Sequence, residues 1–261
     1  MNEFCILDVF AGMFAGDLLR YVIGAGGVYL VINIALAARL HSRKIRGSTP
    51  PASQMRREIL ASLRTVLIFS LVGMSIVLGV QLGLMQVYED IQLYGWAYLA
   101  GSTLLTIIIH DAYFYWAHRI MHRPSLFHIL HRLHHKSHNP SPFTSYSFDA
   151  GEAVVNALFL PLILLVLPLH PIALLIFTSH MMLRNAIGHC GIEVFPANKK
   201  GNPLFGWLTT VTHHDLHHAH AGYNMGLYFS WWDRLMGTEH PDYQAEFKRV
   251  SGSDNHEKVI A

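Results

Sequence analysis

Three apolar blocks, residues 18–40, 67–85 and 93–109, limit what this chain can fold into more than any other feature. The first is nearly uncharged after Arg20, and the other two contain no charged residue. Each approaches or exceeds the ~20 residues a helix needs to cross a bilayer. Two shorter blocks, 153–169 and 172–183, flank Pro168-Leu-His-Pro171 and read as a hairpin of short or re-entrant helices. Proline is tolerated there if neighbours satisfy the freed backbone groups. A hydrophobic content of 52% with only 14% charged residues fits a membrane protein and not a soluble domain. The expected fold is therefore all-α: an integral membrane bundle of about three long spans plus a short helical hairpin.

Charge distribution orients this bundle. Residues 39–57 carry Arg39, Arg43, Lys44, Arg46, Arg56 and Arg57 with no acidic residue, whereas the segment before Leu18 and the turn at 86–92 carry acidic charge only. The positive-inside rule makes the basic loop cytoplasmic, so the spans run inward, outward and inward again. The third helix then delivers residue 118 onward to the cytoplasm, and the 153–188 hairpin returns to the same face. Residues 199–261 stay cytoplasmic, and the final ~12 read as a disordered tail. The first block lacks the basic lead of a cleavable signal peptide and is expected to persist as a helix. Cys5 and Cys190 imply no disulfide framework.

The histidines meet on that cytoplasmic face as a helix-rich cap. Of the 19, 12 lie in two windows, 118–138 and 213–220. On helix three, Asp111, Tyr115, His118 and His122 fall within a ~60° stripe. Asp111 could hydrogen-bond the second ring nitrogen of a metal-ligating histidine, or pair with a local polar group. His131, His134 and His135 stand at i, i+3 and i+4, one face of a helix, and His214, His217 and His218 repeat the pattern. Asn185 and His189 share a face of the hairpin's second helix, with Asn185 as a ligand or the anchor of a ligand water. His110 and His180 point away into the bundle. His128, His138, His213 and His220 suit a supporting or surface role, and His41, His170, His240 and His256 a solvated or interfacial one.

Nine histidines exceed the capacity of one ion. Structural zinc takes four ligands and usually includes cysteine, which these clusters lack. Nine or ten nitrogen donors suit two metals with open positions, and Asp111, Asp215 or Glu193 could soften the positive charge. Iron is the metal for which open positions beside a membrane make chemical sense, because oxygen activation can attack an unactivated C–H bond. The His-Glu-x-x-His string of zinc proteolysis is absent from the sequence.

Over roughly 110–240 the chain resembles the fatty acid hydroxylase/sterol desaturase superfamily. The resemblance rests on Asp111-x3-Tyr115-Trp116-x-His118-Arg119-x2-His122 and on His131-x2-His134-His135-x2-His138-Asn139-Pro140. It continues through Asn185-x2-Gly188-His189-x-Gly191-x-Glu193, His214-Asp215-Leu216-His217-His218, and Asn224-x-Gly226 to Trp232-Asp233-Arg234-Leu235-x-Gly237-Thr238. It implies a cytoplasm-facing di-metal site, natively two iron ions, with zinc able to substitute in a purified sample. His118, His122, His131, His134, His135, His189, His214, His217 and His218 carry over as ligands. Asp111, Tyr115, Asn185 and Asp215 are the remaining candidate site residues. Two departures stand out: some members have histidine at the position of Asn185, and many read Phe-His-Pro-x-Glu where this chain has Phe148-Asp149-Ala150-Gly151-Glu152.

The expected activity is that of a membrane-bound oxygenase, with O2 as co-substrate, that hydroxylates or desaturates a long lipidic substrate (fatty acyl, sphingoid, sterol or carotenoid). Residues 1–92 would supply the first spans and the basic loop, 93–240 the catalytic domain, and 241–261 a polar tail. No nucleotide fingerprint, haem segment or iron–sulfur cysteine set occurs in the sequence, so electrons would come from a ferredoxin or a b-type cytochrome with its reductase. Arg119, Arg123, Arg132 and Lys136 could dock that donor or hold membrane lipid headgroups. Tyr113, Phe114, Tyr115 and Trp116 could line a substrate route or form an interfacial belt. No nucleic-acid partner is expected, and an inner or cell membrane is the expected location. The rivals are a metal transporter, which would want ligands at mid-bilayer depth, and a metal-binding scaffold without oxygenase activity.

Overall fold

The computed structural model describes residues 5–252, which are helical with no β-strand among them. The first helix runs unbroken over Ile6–Ala35, beginning as α1 (Ile6–Tyr21) and loosening into π-turns at Val22–Gly26 and Tyr29–Ala35. The second, α2 (Ala52–Gln81), starts at Pro51, whose fixed φ suits a helix entry, and stops before Gly83, which turns left-handed at φ 70°. These two helices are long and apolar enough to cross a membrane. The third, α3 (Gly95–Met121), has spanning length but a more polar inner face, burying Ser102, Thr103, Thr106, His110 and Asp111. Each passes its apolar block at one end, the first helix from Ile6, α2 from Ala52 and α3 to Met121, because flanking residues such as Arg56 and Arg57 in α2 continue the helical turn outside the hydrocarbon-like stretch.

The expected hairpin is present. Helices α6 (Ala150–Ala157) and α7 (Phe159–Leu164) lead to α8 (Pro171–Gly188), with Pro171 in its first turn. Leu169 and His170 at the hairpin tip are buried. His170 accepts from the Ile172 amide at 3.1 Å and reaches the Glu89 carbonyl at 2.9 Å, so it pins the hairpin to the 86–90 segment instead of facing solvent. His240 is also buried, against His220 and Tyr223. Close approach is built in at Gly24, where a Cβ would come within 2.6 Å of Met182 on α8. Gly73 does the same for α1, where Met13 would lie 2.5 Å from an added Cβ.

Short helices complete the molecule: α4 (Pro124–Leu130), α5 (Arg132–His135), α9 (Val211–Ala219), α10 (Trp231–Leu235) and α11 (Tyr243–Ser251). Buried Glu58 of α2 ties them to the long helices. Its carboxylate accepts from Gln54 Nε2, Ser137 Oγ and Ser141 Oγ at 2.8, 2.6 and 2.5 Å, which fixes the segment after α5. Helix α11 reaches Ser251, and the rest of the expected tail lies outside the described residues apart from Gly252. Cys5 and Cys190 are both free.

Candidate metal centre

Each histidine is placed by a short local element. His118 projects from the last turns of α3 and His122 closes it, while α4 enters through Pro124. His131 does not sit on a helix face. It caps α5 with φ −139°, so the first triplet bends at its first member. Asp149 stabilises that bend by accepting from the Leu133 amide at 2.7 Å. The second triplet rides on α9, whose N-terminus is capped by Thr210 and by the Glu193 carboxylate, which accepts from Thr212 N and Oγ1. His189 closes α8.

These elements sort the histidines into two groups. His118, His122, His131, His135 and His217 form one, and His134, His189, His214 and His218 the other; within each, the candidate ligand atoms lie within 4.8 Å of one another. Each triplet is shared reciprocally. His131 and His135 join the first group while His134 joins the second; His214 and His218 join the second while His217 crosses to the first. Both triplets therefore hold the groups side by side, and removing either would damage both.

The ring nitrogens fit ion coordination. In the first group Nε2 atoms face each other at 3.0 Å (His118–His131), 3.2 Å (His118–His122), 3.2 Å (His122–His135) and 3.0 Å (His135–His217). In the second they stand 3.3 Å (His134–His189) and 2.9 Å (His189–His214) apart. Two imidazole lone pairs at such distances repel unless a proton or cation lies between them. Adjacent corners of an octahedron with ligands about 2.1 Å from its centre are about 3.0 Å apart, and those of a tetrahedron about 3.4 Å. The spacings match ligand edges of this kind.

The outer ring nitrogens explain why Nε2 points inward. Nδ1 of His118 meets the Met225 carbonyl at 2.8 Å, Nδ1 of His217 the Tyr223 carbonyl at 2.6 Å, and Nδ1 of His189 the Asn185 carbonyl at 2.7 Å. A carbonyl requires Nδ1 to carry the proton, which leaves the Nε2 lone pair for a metal. His131 Nδ1 lies 2.8 Å from the fully buried Glu152 carboxylate. Burial first, and then the crowding of other imidazoles, holds His131, His134, His214, His217 and His218 well below the usual histidine range. His135 is pushed down to about 3 and His189 to about 4, mainly by burial. The cluster is thus neutral at pH 7, as metal ligation requires.

The loop after α9 supplies two of those carbonyls. Between them Asn224 adopts φ 56°, a left-handed turn that asparagine tolerates, with its side chain bonded to His213 O and the His240 amide. Two residues on, a Cβ at Gly226 would meet the Phe229 carbonyl at 2.6 Å and Asp233 Oδ2 at 2.9 Å. Asp233 accepts from the Met225 and Gly226 amides at 2.7 and 2.8 Å and from Thr238 Oγ1 at 2.7 Å. Tyr115 joins this network through its hydroxyl, 2.9 Å from Thr238 Oγ1.

The four other sequence candidates surround the histidine groups without joining them. Asp111 does not reach a histidine: it accepts from the Tyr228 and Phe229 amides and from Trp231 Nε1, holding the loop that precedes α10. Asn185 turns its side-chain amide to Ser145 O at 2.6 Å, and its backbone, not its side chain, orients His189. Asp215 pairs with Arg46 at 3.0 Å, fastening α9 to the basic segment. Tyr115 stacks on Trp232. His128, His138 and His220 are exposed, and His213 is buried with Nε2 3.5 Å from Asp233. Two residues had no assigned supporting role from sequence, Glu152 and Asp233. A lone glutamate heading an otherwise apolar block, and matching the last letter of the Phe-His-Pro-x-Glu pattern, was the available signal for the first.

An all-helical chain with membrane-capable helices and two buried nests of imidazole nitrogens defines a membrane-associated metal-binding class. Residues 103–238 match the fatty acid hydroxylase family model, and the chain belongs to that family. It is 28% identical to the Delta(7)-sterol 5(6)-desaturase of Gibberella zeae over 186 residues, which cover 71% of this chain and 56% of that protein. It is similar to lathosterol oxidase of Rattus norvegicus, 28% identical over 193 residues, covering 72% of this chain and 62% of that protein. With cholesterol 25-hydroxylase of Homo sapiens it shares 29% identity over 141 residues, 54% of this chain and 52% of that protein. The chain thus spans about half to three-fifths of the length of these curated relatives. No solved structure matches it.

Proposed function

We propose that this chain is a membrane-bound, O2-dependent di-iron oxygenase that hydroxylates or desaturates an alkyl carbon of a lipid. The observation that carries this reading is the pair of adjoining nests, five and four imidazole nitrogens, held neutral and aimed inward. Neutral nitrogen donors without cysteine suit iron better than structural zinc. The names of the relatives, sterol desaturases and a cholesterol hydroxylase, favour a sterol-like substrate. When bound, iron would supply the activation of oxygen that the side chains cannot.

The chain's own residues orient, insulate and neutralise. His118, His122, His131, His135 and His217 would hold one ion, and His134, His189, His214 and His218 the other. Glu152 would receive His131 Nδ1 and orient the ring, as carboxylates behind metal-bound histidines do. Phe114 beside His118 and Phe148 beside His134 would keep water from the lipid side of the nests. Hydroxylation consumes one O2, two electrons and two protons per alcohol and releases one water; desaturation releases two waters per alkene. A ferredoxin or a b-type cytochrome would deliver the electrons, docking at the exposed Arg123, Arg132 and Lys136 beside the site. The site would face the cytoplasm from an inner or cell membrane, as the basic segment at 39–57 argues.

The test is metal analysis of the purified protein together with lipid extracts of cells that make it. Two irons per chain and a lipid product heavier by one oxygen, or lighter by two hydrogens, support the reading when the product disappears and bound iron falls in His134→Ala and His217→Ala. Metal-dependent uptake into vesicles without any oxidised lipid would replace it with a transporter.

A further inference from the structure

Outside the histidine nests, the long helices and the hairpin line a partly open cavity of about 310 Å³. Its walls are mainly apolar, with Phe69, Ile76, Phe159, Leu174, Phe177 and Met181 among them. Its size is at the lower end of small-molecule sites, enough for one end of a lipid. One part of the lining is charged. Asp17 and Arg20 of α1 form an ion pair one turn apart, and Ser70 of α2 donates to Asp17 Oδ2 at 3.1 Å. Both charges lie within Ile6–Ala35, one of the two membrane-capable helices. Ionisable groups within a membrane-spanning helix are costly and tend to mark a ligand site or pathway.

Two further polar groups line the same cavity. Asn156 has both its amide oxygen and its amide nitrogen buried without a hydrogen-bond partner. An unsatisfied buried amide costs free energy that a ligand able to both donate and accept would recover. Tyr146 lies within electrostatic reach of Asp17 and Arg20. The pair also borders a second hollow of 520 Å³ along Asp8, Val9, Gly12 and Gly16, giving a bound chain somewhere to continue.

The ligand's charge follows from this arrangement. Arg20 is already neutralised by Asp17, so a carboxylate would bring an uncompensated negative charge beside another. A hydroxyl can donate to Asp17 or Asn156 Oδ1 and accept from Arg20 or Asn156 Nδ2 with no charge left over. We propose that this cavity binds the hydroxyl end of an uncharged lipid alcohol, read by Asp17, Arg20 and Asn156, with its hydrocarbon against Phe69, Phe159 and Phe177. Two rings separate the cavity from the nests along each of two routes. His110 packs on Phe114 and Phe114 on His118, while Tyr146 packs on Phe148 and Phe148 on His134. As a statement about substrate the assignment rests on the lipid-oxidising reading above. Binding, however, is measured without oxygen or electrons, so the two can fail separately.

The experiment uses the full chain in phosphatidylcholine nanodiscs under nitrogen. Equilibrium binding is measured for radiolabelled cholesterol and 1-hexadecanol, the methyl ether of each, and palmitate. At least one alcohol is expected to bind about tenfold more tightly than its ether, the worth of one hydrogen bond in a dry site, and more tightly than palmitate. Asn156→Leu and the double variant Asp17→Asn/Arg20→Gln should erase that advantage while leaving the ether's affinity unchanged. The assignment is overturned if no alcohol in the panel outbinds its ether, if palmitate binds best, or if a variant with the parent's melting temperature keeps the full advantage. Should either variant fail to fold, the alcohol, ether and palmitate comparison on the parent decides alone.

Discussion

The two histidine nests differ in how firmly the protein holds them. The five-nitrogen nest is braced from outside: backbone carbonyls of Met225 and Tyr223 fix His118 and His217, and the Glu152 carboxylate stands behind His131. In the four-nitrogen nest the Asn185 carbonyl fixes His189 and the Ser147 backbone meets His134, but neither ring nitrogen of His218 makes a hydrogen bond among the described residues. The first nest includes His122, which is only half-buried, whereas every member of the second is buried. Orientation and access are thus divided: one nest is rigid and reachable, the other enclosed and less braced. Outer hydrogen bonds to metal-ligating histidines tune affinity by one to two orders of magnitude. The braced nest should therefore hold its ion more tightly.

The largest effects come from breaking the reciprocal sharing. His134→Ala and His217→Ala should each abolish lipid oxidation, because each removes a ligand from one nest and the proposed reaction needs both; retained product formation in either variant would break the comparison. Glu152→Gln keeps the shape but removes the carboxyl group that receives His131 Nδ1. A loss of about 10- to 100-fold in metal affinity is expected, read by competition with a chelator and confined to the braced nest. An intermediate effect concerns acid. His135 and His189 have folded-state values of about 3 and 4, below an ordinary histidine, so the unfolded chain binds more protons between those values and about 6.5. The metal-free protein should therefore be fully stable above about pH 6.5 and melt at falling temperature as the pH drops toward 4. A flat melting profile over that window contradicts the neutral, buried nests. The smallest effect is Asn185→Ala, which removes the bond to Ser145 O but not the backbone carbonyl behind His189. A cost of about 1 kcal/mol in stability and unchanged metal content are expected by thermal melting and metal analysis.

Much of this arrangement is legible in the sequence, and its limits have physical causes. Apolar run length finds the first two helices, but not that α2 begins at Ala52, since hydropathy reports the solvent around a helix and not the turn of its backbone. Clustering picks out the histidines, yet spacing alone puts His131, His134 and His135 on one face. In the fold His131 is a helix cap, and the triplet divides between two nests. That division depends on where α9 docks, a tertiary contact invisible to local periodicity. Asp111 shares a stripe with His118, which suggested a hydrogen bond between carboxylate and imidazole. The Tyr228 and Phe229 amides and the Trp231 indole compete for the same carboxylate and take it. Glu152 reads as part of the lead into an apolar hairpin, and its partner His131 is distant enough in sequence that no helical rule joins them.

The division into two unequal nests is tested most directly by Mössbauer spectroscopy of protein loaded with iron-57. Two inequivalent iron signals of equal area are predicted, with His122→Ala altering only one and His218→Ala altering only the other. A single signal in the parent, or the same signal changed by both substitutions, would contradict the account.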